Sequence, residues 1–561
     1  MRALIRHIVI IIGALFTGCD STTDIGPAAD SVVIGDFHTM DPNQPFAEAV
    51  AIADGRFSYV GSKSGAMARV AERTEVIDLG DAVAYPGLID AHVHIAGIGL
   101  AMRSVDLTGA KSYGEIVARV AERAKMTRAG AILLGRGWHQ SKWQQVPEGS
   151  LDGFPTHHAL SAAVPDHPVL LEHANGHSVL LNQNAMNQLG LSSKSIAPEG
   201  GVIVFQDEQL TGLLHEAAID LTLPLQQYDT DTATQLVDLA QQHLLRQGIT
   251  TAHDAGALHV DIQAQTQMAK RGDLLLRLYT MVSAGDAKAL AEWINRGPQI
   301  NLGDHRLTVR SIKIQADGAL GSRTAWLHAP YTDAPDTNGV VTYDLHSLSA
   351  LIEQTRNDSW QINVHAIGDR ANSEVLKAFA PFTQRLIDHR FRIEHAQHLA
   401  PGDGVLFAKQ GVIASMQPIH LSSDRPWAID RLGRERIEQG AYIWQELLAE
   451  GVVIASGTDA PVEPVNPIAN FYAAVTRKTL LGIPSDGFEP KQRLSRYEAL
   501  YAMTMGGAFA GFEETEKGSV EVGKLADITV LSQDVLAVPE AQILSTEVVM
   551  TLVGGEVLYH R

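Results

Sequence analysis

Apolar and polar positions follow one repeating pattern through most of the chain. Between residues 82 and 514, short apolar or β-branched runs that end in polar residues alternate with longer stretches of helical character. Such alternation implies parallel strands joined by crossover helices, and eight strands predict an α/β fold of the closed (β/α)8 TIM-type barrel. The predicted strands are residues 82–90, 248–253, 274–282, 307–315, 361–365, 391–395, 411–417 and 451–456.

Short strand-like runs of another kind occupy both ends of the chain. Near the start they cover residues 31–34, 49–53, 57–60 and 75–79, and near the end 528–531, 547–553 and 556–559. Gly and Asp residues separate them, and Gly554-Gly555 is a hairpin signal. Chain termini often lie close together, so we predict one small β-sandwich made from residues 31–81 and 515–561.

A long interruption separates the first two barrel strands. It covers residues from about 104 to 228, far more than a crossover helix needs. Active-site lids are commonly drawn from long connections after barrel strands. We therefore predict an inserted lid over the mouth of the barrel.

The charge balance narrows the choice of partner. The chain has 44 Lys and Arg residues against 64 Asp and Glu residues, a formal net charge of −20, and no run of basic residues. A nucleic-acid partner is therefore not expected, and the expected partner is a small-molecule substrate. The pattern gives no indication of an oligomeric state.

The first 30 residues resemble an export signal and a tether. Arg2 and Arg6 precede a short apolar run over residues 8–16, and Gly18-Cys19 follows. The run is shorter than the roughly 20 residues of a spanning helix and fits a secretion signal. Residues 1–19 resemble a bacterial lipoprotein signal in which Cys19, the single cysteine, becomes lipidated, with residues 20–30 as a tether.

This signal predicts the location of the protein. A lipid on Cys19 would hold the chain at the periplasmic face of a bacterial membrane, and we expect no other membrane contact. The alternative is ordinary secretion into the periplasm, with Cys19 as a buried or free thiol.

The first barrel strand carries a histidine pair. In Asp90-Ala-His92-Val-His94 the two histidines are at positions i and i+2, so on a strand both project to the same face. Two neutral imidazoles on one face suit a metal such as zinc. The pair lies at the C-terminal end of its strand, where barrel enzymes place their active sites.

Three further candidate ligands follow other predicted strands. His365 ends the fifth strand, His395 ends the sixth, and Asp459 follows the eighth. Each one alone would more often be a hydrogen-bonded core histidine or a helix N-cap. Because all three lie on the same rim as His92 and His94, together they predict a metal centre.

Lys313 is unusual because it lies within the apolar fourth strand. Burial disfavours an ammonium and lowers the lysine pKa. A neutral amine can react with carbon dioxide to give a carbamate, which is a carboxylate able to bridge two metals. The alternative is a salt bridge from Lys313 to Asp317 or Glu394.

These motifs together resemble the amidohydrolase superfamily, and within it the N-substituted formamide deformylase-like (YtcJ-like) branch, amidohydrolase family 3. The resemblance covers nearly all of the chain after the export signal. It also includes four motifs outside the metal residues: Gly135-Arg-Gly-Trp138, His173-Ala-Asn-Gly-His177-Ser, Asp317-Gly-Ala-Leu-Gly-Ser-Arg323 and Gly518-Ser-Val-Glu-Val-Gly-Lys-Leu-Ala-Asp527.

The resemblance implies a barrel flanked by a terminal β-sandwich and a centre with two divalent metals, expected to be zinc. One metal would be held by His92, His94 and Asp459. The other would be held by His365 and His395. A carboxylated Lys313 would bridge the two.

The implied activity is metal-dependent hydrolysis of a non-peptide C–N bond in a small amide-type molecule. Bound metals lower the pKa of water and polarise a carbonyl, and Asp459 would be the catalytic base and then acid. The alternatives are a lactonase or esterase that uses the same centre, or a catalytically silent binding relative.

Four residues are candidates for binding the substrate. Trp138, His139 and His177 belong to the interruption, and Arg323 follows the fourth strand. Both regions are expected above the metals, and His177 or Arg323 could bind a carboxylate or a carbonyl oxygen. The alternative is that they stabilise the lid, with Trp138 in the lid core.

Overall fold

The structure is a computed structural model, and it describes most of the chain. The described residues are 28–140, 143–145, 147, 149–151, 153–174, 178–198, 201–356 and 359–561. The predicted lipidation site, Cys19, and one candidate substrate residue, His177, lie outside them.

The described strands are numbered here in chain order. They are β1 (Ser31–His38), β2 (Phe46–Ala53), β3 (Arg56–Gly61), β4 (Glu75–Pro86), β5 (Leu88–Val93), β6 (Val105–Asp106), β7 (Leu133–Trp138), β8 (Val169–His173), β9 (Ser178–Leu181), β10 (Gly201–Gln206), β11 (Gln209–Glu216), β12 (Ile249–Ala257), β13 (Arg277–Ser283), β14 (Gln299–Asn301), β15 (Leu307–Gln315), β16 (Gln361–Ala366), β17 (Arg392–His395), β18 (Ile413–Met416), β19 (Ile454–Ser456), β20 (Ile528–Leu531), β21 (Val548–Val553) and β22 (Glu556–His560).

The described helices are numbered in the same way. They are α1 (Lys63–Met67), α2 (Ile95–Arg103), α3 (Tyr113–Lys125), α4 (His158–Ala163), α5 (Gln183–Gln188), α6 (Thr230–Arg246), α7 (His259–Arg271), α8 (Ala287–Arg296), α9 (Leu302–His305), α10 (Leu345–Thr355), α11 (Asp369–Thr383), α12 (Asp403–Gln410), α13 (Pro418–Gly440), α14 (Trp444–Ala449), α15 (Pro467–Thr476), α16 (Arg496–Ala502) and α17 (Met505–Ala510), with 3-10 turns at Ala217–Gln226, Pro490–Gln492 and Glu540–Ser545.

The centre of the molecule is the barrel, which confirms the predicted fold class. Its strands run in the order β5, β12, β13, β15, β16, β17, β18 and β19, and each neighbouring pair is parallel. Two hydrogen bonds join the first strand to the segment after the last. Asp459 N–H donates to the His92 carbonyl over 2.7 Å, and His94 N–H donates to the Ala460 carbonyl over 2.8 Å. The sheet is thereby nearly closed at its C-terminal rim.

The segment predicted as the first barrel strand, residues 82–90, is divided between two sheets. Residues up to Pro86 belong to β4 of the terminal sheet, and the barrel strand β5 begins at Leu88. Gly87 makes the change of sheet possible, because a Cβ there would lie 2.2 Å from Thr250 Oγ1 and 2.8 Å from Asp527 Cβ. The apolar pattern continues through Gly87, so the pattern alone did not reveal the division.

The two ends of the chain form a single sheet of seven strands. Its order is β22, β21, β20, β4, β1, β2 and β3, so β4 from the first end pairs with β20 from the last. The sheet curls until Arg56 in β3 bridges Leu525, just before β20. The enclosed core contains apolar residues from both ends, among them Val33, Phe57, Ile528 and Leu552.

The interruption between β5 and β12 forms a unit with its own core. Strands β6 to β11 make one sheet in the order β10, β11, β9, β8, β7 and β6. Separate apolar clusters cover the unit, one around Trp138 and Leu160 and another around Leu181 and Met186. Searched over the described residues, the structure contains no helix with the length and apolarity needed to span a membrane.

Candidate metal centre

Four histidine rings meet at the C-terminal rim of the barrel. The ring centroids of His92 and His395 are 4.8 Å apart, those of His365 and His395 are 4.5 Å apart, and those of His92 and His94 are 5.5 Å apart. The structure thus brings together residues from β5, the start of α2, β16 and β17. Parallel strands place their carboxyl ends on one edge, which is why residues so far apart in sequence converge.

Asp459 completes this cluster. Its Oδ1 lies 3.1 Å from His94 Nε2 and 3.4 Å from His92 Nε2. Asp459 has a φ of +60°, and its N–H is held by the His92 carbonyl. Burial by itself would raise the Asp459 pKa, but the hydrogen bond with His94 and the charge of His92 outweigh burial and lower it well below the usual range. A carboxylate that stays ionised is a suitable metal ligand.

The donor set fits a divalent metal. Ligand atoms of His92, His395 and Asp459 all lie within 4.8 Å of one another. Each of the two imidazoles also has an acceptor on its other nitrogen: His92 Nδ1 lies 2.6 Å from Glu394 Oε2, and His395 Nδ1 lies 2.7 Å from Gln417 Oε1. An oxygen acceptor there requires Nδ1–H, which leaves both Nε2 lone pairs for a metal.

In His365 the roles of the two ring nitrogens are reversed relative to His92 and His395. Its Nε2 lies 3.1 Å from the Gly318 carbonyl oxygen, so Nε2 carries the hydrogen and Nδ1 is the free acceptor. Burial, followed by the charge of Lys313, lowers the His365 pKa to about 3. The pKa of His92 is lowered to about 4 by the same two causes. Both imidazoles are therefore neutral at physiological pH, as metal ligands must be.

A buried ion pair supports His92 from below. Glu394 Oε1 lies 2.8 Å from Arg392 Nε, and both side chains are fully buried. Arg392 also donates to the Ala91 carbonyl over 2.6 Å and to Ser415 Oγ over 2.8 Å. Burial alone would raise the Glu394 pKa, but the charges of Arg392 and His92 lower it, so Glu394 stays ionised.

Lys313 lies inside the cluster and makes no ion pair with a described carboxylate. Its Nζ is 3.4 Å from His92 Nε2. The two carboxylates considered as salt-bridge partners are engaged elsewhere: Asp317 accepts from the backbone N–H groups of Trp326, Ile367 and Gly368, and Glu394 pairs with Arg392. Burial is the main cause that lowers the Lys313 pKa.

A cavity of about 410 Å³ opens beside these residues. Five of the six residues that the sequence predicts as ligands line it, and the sixth, His92, lies beneath them with no exposed surface. The lining consists of His94, Lys313, Gln315, Ala319, Leu320, Gly321, His365, Ile367, His395, Gln397, His420, Asp424, Trp427, Asp459, Val462 and Glu463.

The candidate substrate residues that the structure describes do not line this cavity. Trp138 is buried in the core of the insertion and donates its Nε1–H to the Leu171 carbonyl over 3.1 Å. The His139 ring packs against His173 with centroids 4.6 Å apart. Arg323 pairs with Asp333 at 2.9 Å. No described residue of the insertion lines the cavity, so the predicted lid and these substrate roles stay predictions.

Sequence reasoning missed three cavity residues on one helix. His420, Asp424 and Trp427 are at positions i, i+4 and i+7 of α13, and such positions share one helix face. The spacing is visible in the sequence. Which face of the helix turns toward the metal residues depends on packing, which the spacing does not give.

Comparison with known proteins shows the family of the chain. A family model described as Amidohydrolase family (Amidohydro_3) matches residues 75–559. YtcJ of Bacillus subtilis (strain 168) is 33% identical over 543 residues, which cover 94% of this chain and 98% of YtcJ. The N-substituted formamide deformylase of Arthrobacter pascens is 24% identical over 547 residues, which cover 94% of this chain and 98% of that protein.

Comparison with solved structures agrees with this family assignment. The crystal structure of an uncharacterized metal-dependent hydrolase from Pyrococcus horikoshii OT3 superposes with a TM-score of 0.78 and 25% identity, covering 91% of this chain and 99% of that one. Fold, donor set and likeness together define a metal-dependent hydrolase of the amidohydrolase superfamily. The chain belongs to the Amidohydro_3 family and, within the superfamily, to its YtcJ-like branch.

Proposed function

We propose that the protein hydrolyses an amide-type C–N bond, other than a peptide bond, in a small molecule. The observation that carries the proposal is the convergence of four imidazoles and an ionised carboxylate beside one cavity at the C-terminal rim of the barrel. A relative that aligns over nearly its full length is named as a deformylase of N-substituted formamides, and such a reaction breaks a C–N bond.

We infer that the site holds two divalent metals, zinc being favoured by the imidazole-rich donor set. His92, His94 and Asp459 would hold one, and His365 and His395 the other. When bound, such metals lower the pKa of water and polarise a substrate carbonyl. Lys313, carboxylated on Nζ, would bridge the two positions; its closeness to His92 and its lack of an ion pair with a described carboxylate support this role.

Asp459 is the residue best placed to move the proton. It is ionised, it faces the cavity, and it contacts the two histidines of β5 and α2. We propose that Asp459 accepts a proton from the attacking water and then gives it to the leaving nitrogen, first a general base and then a general acid.

The experiment that tests this function combines metal analysis with a hydrolysis screen. Elemental analysis of the zinc-saturated protein should give about two equivalents per chain. The loaded protein should then hydrolyse members of a panel of formamides and N-acyl amines faster than matched lactones and esters. If lactones or esters were cleaved faster, the protein would be a lactonase or esterase rather than an amidase. If the protein bound no metal, it would be a catalytically silent binding protein.

We also propose that the protein is exported and lipidated on Cys19, which the N-terminal sequence alone supports. One acyl chain gives only marginal attachment, so the resemblance to lipoproteins implies several. Cell fractionation should find the wild type with membranes and the Cys19→Ala variant in the soluble fraction. Identical soluble distributions for the two would leave ordinary secretion as the explanation.

A further inference from the structure

One wall of the metal cavity is acidic. Asp424 lies one turn after His420 on the face of α13 that lines the cavity, and Glu463 follows Asp459 by four residues in the loop after β19. Both carboxylates are half-buried. They are separate from the donor set of the metals and contribute nothing to the proposed chemistry.

Neither carboxylate forms an ion pair with a described residue. Asp424 accepts only from neutral donors, Ser423 Oγ at 3.2 Å and Gln397 Nε2 at 3.4 Å. Glu463 makes no hydrogen bond or ion pair with a described side chain. Arg431, whose guanidinium lies 5.7 Å from the Trp427 ring centroid, is paired with Asp333 instead. Burial is the main cause that raises the Asp424 pKa; the charge of His420 opposes the rise, and the charge of Glu463 adds to it. A cation bound between Asp424 and Glu463 would offset the repulsion between them.

A second observation on the same wall concerns His420. His420 is 8% exposed, lines the cavity, and has a buried Nε2 with no hydrogen-bond partner. That nitrogen faces the metal residues, 3.7 Å from Asp459 Oδ2. A buried polar atom without a partner is costly unless a bound molecule satisfies it.

The cavity is also poor in groups that would hold an anion. Of the described lining residues none is an arginine, and Lys313 is the one lysine. If Lys313 is carboxylated, it too is negative. A substrate carboxylate would therefore meet Asp424 and Glu463 as like charges rather than a counterion.

We propose that the substrate is an amide whose non-reacting part carries an ammonium group, held by Asp424 and Glu463, while His420 hydrogen-bonds the amide. This inference rests on the proposed amide hydrolysis. Trp427 and Val462 supply apolar surface beside the carboxylates for a short alkyl stem. The preferred substrates are thus mono-acylated diamines and related amino amides, and acyl amino acids are disfavoured.

The test uses three formamides of equal chain length, made from a diamine, a simple alkylamine and an amino acid. The zinc-loaded full chain should show the highest kcat/KM for the ammonium-bearing formamide and the lowest for the carboxylate-bearing one. The preference for ammonium over alkyl should be on the order of tenfold, since both carboxylates are partly open to solvent.

Variants of Asp424 and Glu463 test whether these two carboxylates cause the preference for the ammonium-bearing formamide. In Asp424→Asn/Glu463→Gln the ratio of kcat/KM between the ammonium and alkyl formamides should fall to near one. The matched control is Glu435→Gln, an exposed carboxylate of the same helix, which should keep the wild-type ratio. Calorimetric titration with the free diamine gives a readout that does not need turnover, and the double variant should bind it at least about tenfold more weakly.

The outcomes separate this inference from the proposed function. Hydrolysis of all three formamides without an ammonium preference, or with a carboxylate preference, overturns the inference and leaves amide hydrolysis standing. If the metal-loaded protein hydrolyses none of the three formamides, the result counts against amide hydrolysis. The calorimetric titration then decides whether the cation site exists. Diamine binding that depends on Asp424 and Glu463 supports the cation site, and no binding, or equal binding to the double variant, overturns it.

Discussion

The orientation of His92 in the metal centre depends on buried residues around its ring. The ring has no exposed surface, with Lys313 and Asp459 at its Nε2 and Glu394 at its Nδ1. Arg392 holds Glu394 ionised, so the acceptor opposite the metal side of His92 is a fixed negative charge. Such an acceptor fixes the tautomer and orientation of a ligand histidine and raises its basicity.

Replacing Glu394 by Gln should therefore weaken metal binding. The amide is neutral and leaves Arg392 as an unpaired buried charge, so both the orientation of His92 and its basicity suffer. We expect zinc affinity to fall by roughly 10- to 100-fold, measured by competition with a chelator.

The control for this prediction is Glu353→Gln. Glu353 also pairs with an arginine, Arg356 at 2.9 Å, but on the surface. The zinc affinity of the Glu353→Gln variant should equal that of the wild type. Equal affinities for Glu394→Gln and Glu353→Gln would show that the buried pair stabilises the barrel only.

Lys313→Ala tests the proposed bridge. Without the lysine no carbamate can form, so we expect loss of most activity and of part of the bound metal. Because acetate can occupy the vacated volume as a small carboxylate, added acetate should restore some of the activity. Activity assays with and without acetate check this, together with metal analysis. Wild-type metal content and activity in Lys313→Ala would exclude the carbamate.

The junction between β5 and the segment after β19 is the element that closes the barrel. Thr458 N–H and Thr458 Oγ donate to Asp90 over 2.9 and 2.6 Å, beside the two backbone bonds at His92 and His94. Burial raises the Asp90 pKa to about 7, and the bonds from Thr458 oppose that rise. Gly457 lies where the two segments are closest, since a Cβ there would be 2.5 Å from His92 N.

Gly457→Ala should therefore open this junction. The added methyl meets backbone rather than a flexible side chain, and we expect a loss of about 1–3 kcal/mol of unfolding free energy. Zinc affinity should fall as well, because the methyl displaces His92. Denaturant unfolding and zinc competition measure the two effects.

Gly114→Ala is the matched control. Gly114 is exposed near the start of α3, and its nearest contact for a Cβ is Ser112 Oγ at 3.8 Å. Its stability should be unchanged or slightly higher, since alanine favours a helix. If both variants unfold at the wild-type denaturant concentration, the close approach at Gly457 is unimportant.

Most of the barrel could be predicted because its strands are short apolar runs with clear ends. The predicted strand 307–315 coincides with β15, and the ends of the runs located His365 and His395 on the rim. The division at Gly87 was not predictable, because two sheets share one continuous apolar run. Arg323 is a substrate candidate because it follows the fourth strand. Its ion pair with Asp333 could not be predicted, because Asp333 lies in a loop whose path the pattern does not specify.

At the scale of the molecule, one buried ion pair ties the terminal sheet to the barrel. Arg277 at the start of β13 donates to Asp527, before β20, over 2.7 and 2.9 Å, and Asp527 also accepts from Gly554 N–H. Both side chains are almost fully buried. Burial would raise the Asp527 pKa, but the charge of Arg277 lowers it.

Asp527→Asn should destabilise the whole protein. Removing one partner of a buried pair leaves the other charge uncompensated, which costs about 3–5 kcal/mol. Thermal and denaturant unfolding measure the loss. The control is Glu438→Gln, which breaks an exposed pair with Arg434 and should cost less than about 0.5 kcal/mol.

The same pair predicts a dependence on pH. A carboxyl whose folded pKa is lowered contributes stability above its unfolded pKa, about 4 for aspartate, and loses that contribution as the pH falls further. The stability difference between wild type and Asp527→Asn should therefore shrink in acid. A difference that stayed constant down to the acid transition would mean that Asp527 stabilises the sheet by shape alone.

The metal centre is assembled from residues made at very different times. His94 precedes Asp459 by 365 residues, and His92 precedes Glu394 by 302. A chain emerging from a ribosome thus carries His92 and His94 long before it carries Glu394 and Asp459. A ligand that binds only the native state stabilises that state by mass action, so the binding free energy of the metal is available only to finished barrels. Incomplete chains therefore compete poorly for the metal, and the metal is taken up only once folding is complete.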